Sequence, residues 1–165
     1  MTPRYWRVYS WEMTTSSDPR EAFEAIVRAN QFMILATADE EGVPWASPVW
    51  FATTSFREYF WISSPDARHS RNLAVRPELA ISIFDSSQPP LTGLGVYVAA
   101  TAGQVPESEL DDGVELYATV SQQAGLARFE RSDVLPPAKH RLYRATASEL
   151  FVLASDDTRT PVPLP

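Results

Sequence analysis

The segment FMILATADEEGVPWASPVWFA, residues 32–52, restricts the fold more than any other stretch of this chain. FMILATA (32–38) is short, apolar and β-rich, DEEG follows as a turn, and VPWASPVWFA (43–52) supplies the return strand, so a β-hairpin is expected. Segments of the same kind recur at short intervals. FREYFWIS (56–63) is a strand dense in aromatics, ELAISIFD (78–85) and the longer LGVYVAATAGQV (94–105) follow, and HRLYRAT and ELFVLAS read as two final strands. About seven strands, mostly consecutive, against two or three helices favour an antiparallel barrel with helices at its ends over a parallel α/β sheet.

The clearest helix is DPREAFEAIVRAN (18–30). Asp18 suits the N-cap, Pro19 the first helical position, and Glu21 completes a capping-box pattern. Ala22, Phe23, Ile26 and Val27 then share one apolar face. A short helix is expected across 66–75, and a longer one over 107–124. The longer one carries acidic residues in its first turn, where the helix dipole favours them, although Gly113 speaks against it. Residues 1–17 show no periodicity and read as an N-terminal extension, in which Met13 serves as comfortably for a start as Met1. The domain is expected over 18–155, with 156–165 a Pro-rich tail on the surface or disordered.

At 165 residues the chain is long enough to bury one core without covalent staples. It has no cysteine, which excludes disulfides, thiolate nucleophiles and zinc-finger sites. Two histidines, His69 and His140, far apart in sequence, argue against a histidine-based metal site. The formal net charge of −7 argues against general nucleic-acid binding, but one local basic patch suffices for a small phosphorylated ligand. No apolar run approaches the roughly 18–20 residues of a membrane helix, and the N-terminus lacks the parts of a signal peptide. A soluble, cytoplasmic protein is expected.

Several chemistries are missing. There is no Gly-x-Ser-x-Gly nucleophile elbow and no phosphate-binding P-loop. GLGVYV (93–98) lacks the third glycine of a dinucleotide fingerprint and reads as one strand. The adjacent acidic pairs, Asp111-Asp112 and Asp156-Asp157, fit a solvated face or turn better than acid–base work. No catalytic side chain is assigned. Any reaction therefore falls to a cofactor that the protein holds and tunes.

The stretch PDARHSRNLAVRPELAISIFD (65–85) is where such a cofactor could be held. Arg68, Arg71 and Arg76 stand against Asp66, and Ile62-Ser63-Ser64 precede them. Arginine offers forked donors to a phosphate, and a helix starting near Ala67 adds backbone N–H groups and its dipole. Taken alone, the i, i+3 spacing of Arg68 and Arg71 fits an exposed stripe better than a site. The aromatic residues Trp45, Trp50, Phe51, Phe56, Tyr59, Phe60 and Trp61 likewise fit core packing and a subunit interface better than a wall for a flat ring.

The ordered series ATADEEGVPWASPVWFA, FWISSPDARHSRNL, RPELAISIFD and VYVAATAGQV resembles the pyridoxamine 5′-phosphate oxidase-like family, the FMN-binding split barrels, from Pro19 to about Ala154. The resemblance implies a mainly β fold, an antiparallel Greek-key split β-barrel with two or three flanking helices. It implies a homodimer with the cofactor site at the subunit interface. By the same resemblance Ser47, Val49 and Trp50 lie along the flavin, Val49 and Trp50 through backbone groups. Ile62 and Ser63 match the strand-end pair, and Arg68 and His69 stand where an Arg-Lys pair grips the phosphate. Arg71 supports them, and Gln123 reaches the cofactor from the partner subunit.

The departures from the pattern are specific. Serine replaces an arginine at 47, histidine replaces the lysine at 69, and Gly95 stands where a glutamine often approaches the flavin. The C-terminal segment that binds substrate in true pyridoxamine phosphate oxidases finds no counterpart, so vitamin B6 oxidation is not expected. The expected function is an FMN-binding oxidoreductase acting on a small molecule. The alternatives are the deazaflavin F420 on the same fold, a non-catalytic flavin-binding protein, and a relative that has lost its cofactor.

Overall fold

Asp18 caps the first helix, α1 (Pro19–Ala29), its side chain accepting from the Arg20 N–H at 2.9 Å. Proline at N1 costs that helix nothing, because its missing donor would have had no intrahelical acceptor. Ala22, Phe23, Ile26 and Val27 are the buried face, as their spacing predicts. Four strands and a second helix follow: β1 (Phe32–Ala38), β2 (Pro44–Trp50), β3 (Glu58–Ser63), α2 (Arg68–Val75) and β4 (Glu78–Phe84). The chain closes with β5 (Gly95–Gln104), α3 (Leu110–Gln123), β6 (Arg141–Leu153) and β7 (Arg159–Val162). These elements come from a computed structural model that describes residues 18–88, 94–153 and 157–165. The N-terminal extension expected over 1–17 lies outside them.

The hairpin of β1 and β2 forms in register from Phe32 opposite Trp50 to Ala38 opposite Pro44. Its turn needs Gly42, whose φ of 85° is a left-handed conformation that side chains with a Cβ rarely adopt. The whole sheet is antiparallel, in the order β2-β1-β4-β5-β6-β3, with β7 beside β6. The chain thus leaves β2 to lay β3 on the far side of the sheet and returns to lay β4 against β1. This is the mainly β, split-barrel arrangement that the sequence predicts, with three flanking α-helices. The barrel is not closed by a ladder. Its two end strands meet at one bridge, where Ala52 and Phe60 exchange backbone hydrogen bonds of 2.9 and 2.8 Å.

Two expectations need correction. HRLYRAT and ELFVLAS are one strand, β6, not two. Buried residues fall at 143, 145 and 147 and then at 150 and 152, because a bulge opposite Ala99 and Ala100 inserts one residue, Ser148. That extra residue reverses the alternation, which in sequence looks like a break. The Ser148 hydroxyl donates to the Ala99 carbonyl at 3.1 Å. The tail is not all loose either: Arg159–Val162 pair with the end of β6, and Val162 is buried.

Alternation in β3 builds two cores. Tyr59 and Trp61 point into the barrel, among Phe23, Leu35, Ile81, Val98 and Tyr143. Phe60 points outward and packs with Leu142, Val114 and Tyr117 beneath α3. Gly113 lets α3 come that close, since a Cβ there would lie 2.8 Å from Leu142 Cδ2 and 3.2 Å from Phe60 Cε1. Among the described residues, no helix is long and apolar enough to cross a membrane.

Candidate functional site

The split between β2 and β3 is bordered by α2, and the candidate residues gather there. After β3 the chain turns through Ser64–Ala67, held by the Asp66 N–H donating to Ser64 Oγ (3.1 Å) and the Ala67 N–H to the Ser64 carbonyl (3.1 Å). Ala67 gives α2 no side-chain cap, and the first helical bond is that of the Arg71 N–H to the Ala67 carbonyl. The N–H groups of Arg68, His69 and Ser70 are therefore in the position that a helix start leaves without an intrahelical acceptor. With the helix dipole they form a weakly positive end.

Arg68 and Arg71 leave from that turn. The Arg68 guanidinium lies 4.5 Å from the centroid of the exposed Trp45 ring and 3.6 Å from an Asp39 carboxylate oxygen, with 39% of its side chain exposed. Arg71 donates to the Asp66 carbonyl. Arg76, the third arginine of the stretch, is engaged elsewhere. It donates to the carbonyls of Asp39 and Glu40, both at 3.3 Å, and holds the β1–β2 turn.

Ser47, Ser63 and His69, far apart in sequence, come together. His69 Nε2 is 2.8 Å from Ser63 Oγ, and Nδ1 is 3.2 Å from Ser47 Oγ. Burial pushes the His69 pKa down, so the ring is neutral and offers one donor and one acceptor, which two hydroxyls match. One turn further, Asn72 donates to Thr37 Oγ1 at 3.0 Å, and Thr37 donates to the Trp45 carbonyl at 3.3 Å. The buried Ser70 hydroxyl has no partner among the described residues. Thr37, Asn72 and Asp39 also belong to this site and are not singled out for it in sequence, and Trp45 stands out there only as one of the aromatic residues weighed as a wall for a ring. The only cue was Asn72 lying three residues after His69, on the same helix face.

The remaining candidates are more scattered. Val49 packs against the inner core, while Trp50 faces the outer one, edge-on to Tyr117 with centroids 5.0 Å apart. Ile62 also packs against the outer core. Gln123 is exposed at the end of α3, an element that packs on β3 and β6 and is not brought to His69 within one chain.

The first turn of α2 thus holds two guanidinium groups against one carboxylate, Asp39, with an indole and a carbonyl as their other partners, and it suits an anion such as a phosphate. No group of side chains among the described residues could hold a metal ion. A groove of about 320 Å³ lies elsewhere, between Pro77, Thr101–Pro106, Arg144 and Thr146. Its one arginine is already engaged by Glu109 (2.8 Å) and Glu58 (3.5 Å).

The sequence pattern of the pyridoxamine 5′-phosphate oxidase family matches residues 19–153. Among solved structures, a heme-binding protein from Mycobacterium smegmatis superposes with a TM-score of 0.66 at 21% identity, over 83% of this chain and 54% of that one. This chain therefore spans about half the length of that protein. An FAD-binding protein from Mesorhizobium loti gives 0.60 at 15% identity, over 79% and 90% of the two chains. An F420 reductase gives 0.57 at 15% identity, over 78% and 94%. At these identities the likeness concerns the fold. No curated protein matches the sequence.

Proposed function

This chain belongs to the pyridoxamine 5′-phosphate oxidase family, and we propose that it binds flavin mononucleotide in the split beside α2 and serves as an oxidoreductase on a small molecule. The observation that carries the reading is the first turn of α2. Arg68, Arg71 and three backbone N–H groups stand there with a single carboxylate, Asp39, within ion-pair distance of Arg68. Charge-assisted bonds from a guanidinium fork suit a phosphate monoester. Ser63 and Ser64 lie beside the same turn. The backbone of Val49 and Trp50 on one side and of Ile62 and Ser63 on the other would flank the ring.

The flavin, when bound, supplies the hydride or electron transfer. The protein's share is to bind the phosphate, orient the ring and exclude water. Heme and F420, which proteins of this fold bind, are the competing ligands.

The same reading includes a homodimer that completes the site, with Gln123 coming from the partner. The outer face of β2, β1, β4 and β5 supports it. Ala46, Ala36, Ala80 and Ala99 form one row across four strands, with exposed Phe32 and Phe84 nearby. A row of small residues lets a second sheet approach closely, and exposed aromatic residues favour burial.

The test is spectroscopic. Purified protein is expected to carry flavin absorbance, or to quench FMN fluorescence on titration, and to sediment as a dimer that Ala80→Arg converts to monomer. Stronger binding of F420 than of FMN would change the cofactor, and bound FMN that no nicotinamide donor reduces would make the protein a non-catalytic carrier. Absence of any FMN binding would refute the proposal.

A further inference from the structure

We infer that His69 is a positioning residue: a neutral strut that sets the separation of β2 and β3 at the open side of the split. The consequence for cofactor affinity rests on the FMN reading above, whereas the strut itself does not. The two end strands are joined by backbone only at Ala52 and Phe60. Toward Ser47 on one strand and Ser63 on the other, no ladder joins them among the described residues. The imidazole spans this interval, with one nitrogen on each serine, at 3.2 and 2.8 Å.

A ring so placed has no free nitrogen for a phosphate, although the resemblance sets this position where a lysine binds one. The lysine's charge would find no carboxylate here. The polar atoms of the ring meet only hydroxyls, Ser47 from β2 and Ser63 from β3. Thr37 of β1 is taken up by Asn72, and β5, which also packs on α2, carries no titratable side chain except Tyr97. The charged groups nearby in the chain are Arg68, Arg71 and Asp66, and Asp39 is paired with Arg68. A third cation at 69 would meet the repulsion of Arg68 and Arg71 in a buried place.

Strut and phosphate ligand make opposite predictions. In the cofactor-free protein, nitrogen NMR of the two histidines is expected to show His69 as a neutral ring at pH 7, unmoved by added inorganic phosphate. The exposed His140 serves as the reference. Ser47→Ala or Ser63→Ala should shift the resonance of the ring nitrogen that loses its hydroxyl. In FMN titrations, H69L and H69K should both weaken binding roughly tenfold or more, and H69Q, whose amide both donates and accepts, should recover most of the loss. The advantage of the wild type over H69L should shrink as pH falls from 8 to 5.5. A protonated or phosphate-sensitive His69 signal, ring nitrogens unmoved by either serine substitution, H69K binding at least as tightly as the wild type, or an advantage that grows on acidification would overturn the inference. If the wild type binds no FMN, the NMR arm still decides the strut, and only the cofactor reading falls.

Discussion

Two parts of this molecule are rich in arginine, and their guanidinium groups are satisfied in different ways. Around α3, Arg128 pairs with Glu115 and Glu130, Arg131 with Glu107 and Asp111, and Arg144 with Glu58 and Glu109. Each has two carboxylates. At the start of α2, Arg68 has one carboxylate at 3.6 Å and an indole, and Arg71 has a carbonyl. Density of positive charge along the chain does not separate these regions. What separates them is the charge left uncompensated once the chain has folded, and more of it is left at the start of α2 than around α3.

The largest expected effect lies at α2. Arg68→Ala removes a charge-assisted contact of about 1.5–3 kcal/mol, so FMN affinity should fall roughly ten- to a hundredfold by fluorescence titration. Unchanged affinity would place the phosphate elsewhere and erase the contrast. Arg144→Ala should do the reverse. It leaves Glu58 and Glu109 without their shared partner and lowers stability by about 1 kcal/mol in chemical denaturation, while FMN binding holds.

Acid provides a third probe. The folded pKa of His69 lies below its ordinary 6.5 because burial penalises the imidazolium. The unfolded chain therefore takes up the proton first. The contribution of His69 to stability is full above pH 6.5 and is lost as pH falls through the folded value. Melting temperature should decline over that range in the wild type and less so in His69→Leu. Arg131→Ala is expected to change least, leaving both melting temperature and FMN affinity where they were, because the carboxylates it pairs with are largely exposed to water. A loss of FMN binding there as large as in Arg68→Ala would break the comparison from the other side.

Much of this was legible in the residues. The Asp18-Pro19 start, the apolar face of α1 and the DEEG turn are local signals, and each formed where the pattern put it. Ser148 was not legible, since a bulge is defined by the strand opposite. Gly113 looked like a helix breaker because the close approach of Leu142 and Phe60 that requires it involves residues distant in sequence. At the candidate site, Arg68 and Arg71 stood out by charge. Thr37, Asn72 and Asp39 did not, because nothing in their neighbours announces what they face.

The sequence by itself determined the first five strands, the helices and the basic turn between β3 and β4, since periodicity, capping and turn chemistry act over a few residues. Only the tertiary structure decided which arginines are neutralised. It also decided that His69 lies between Ser47 and Ser63, a contact that spans 22 residues of chain on one side. Hydrogen bonds and ion pairs depend on distance in space, and the two strands that flank the opening stand at opposite ends of the strand order.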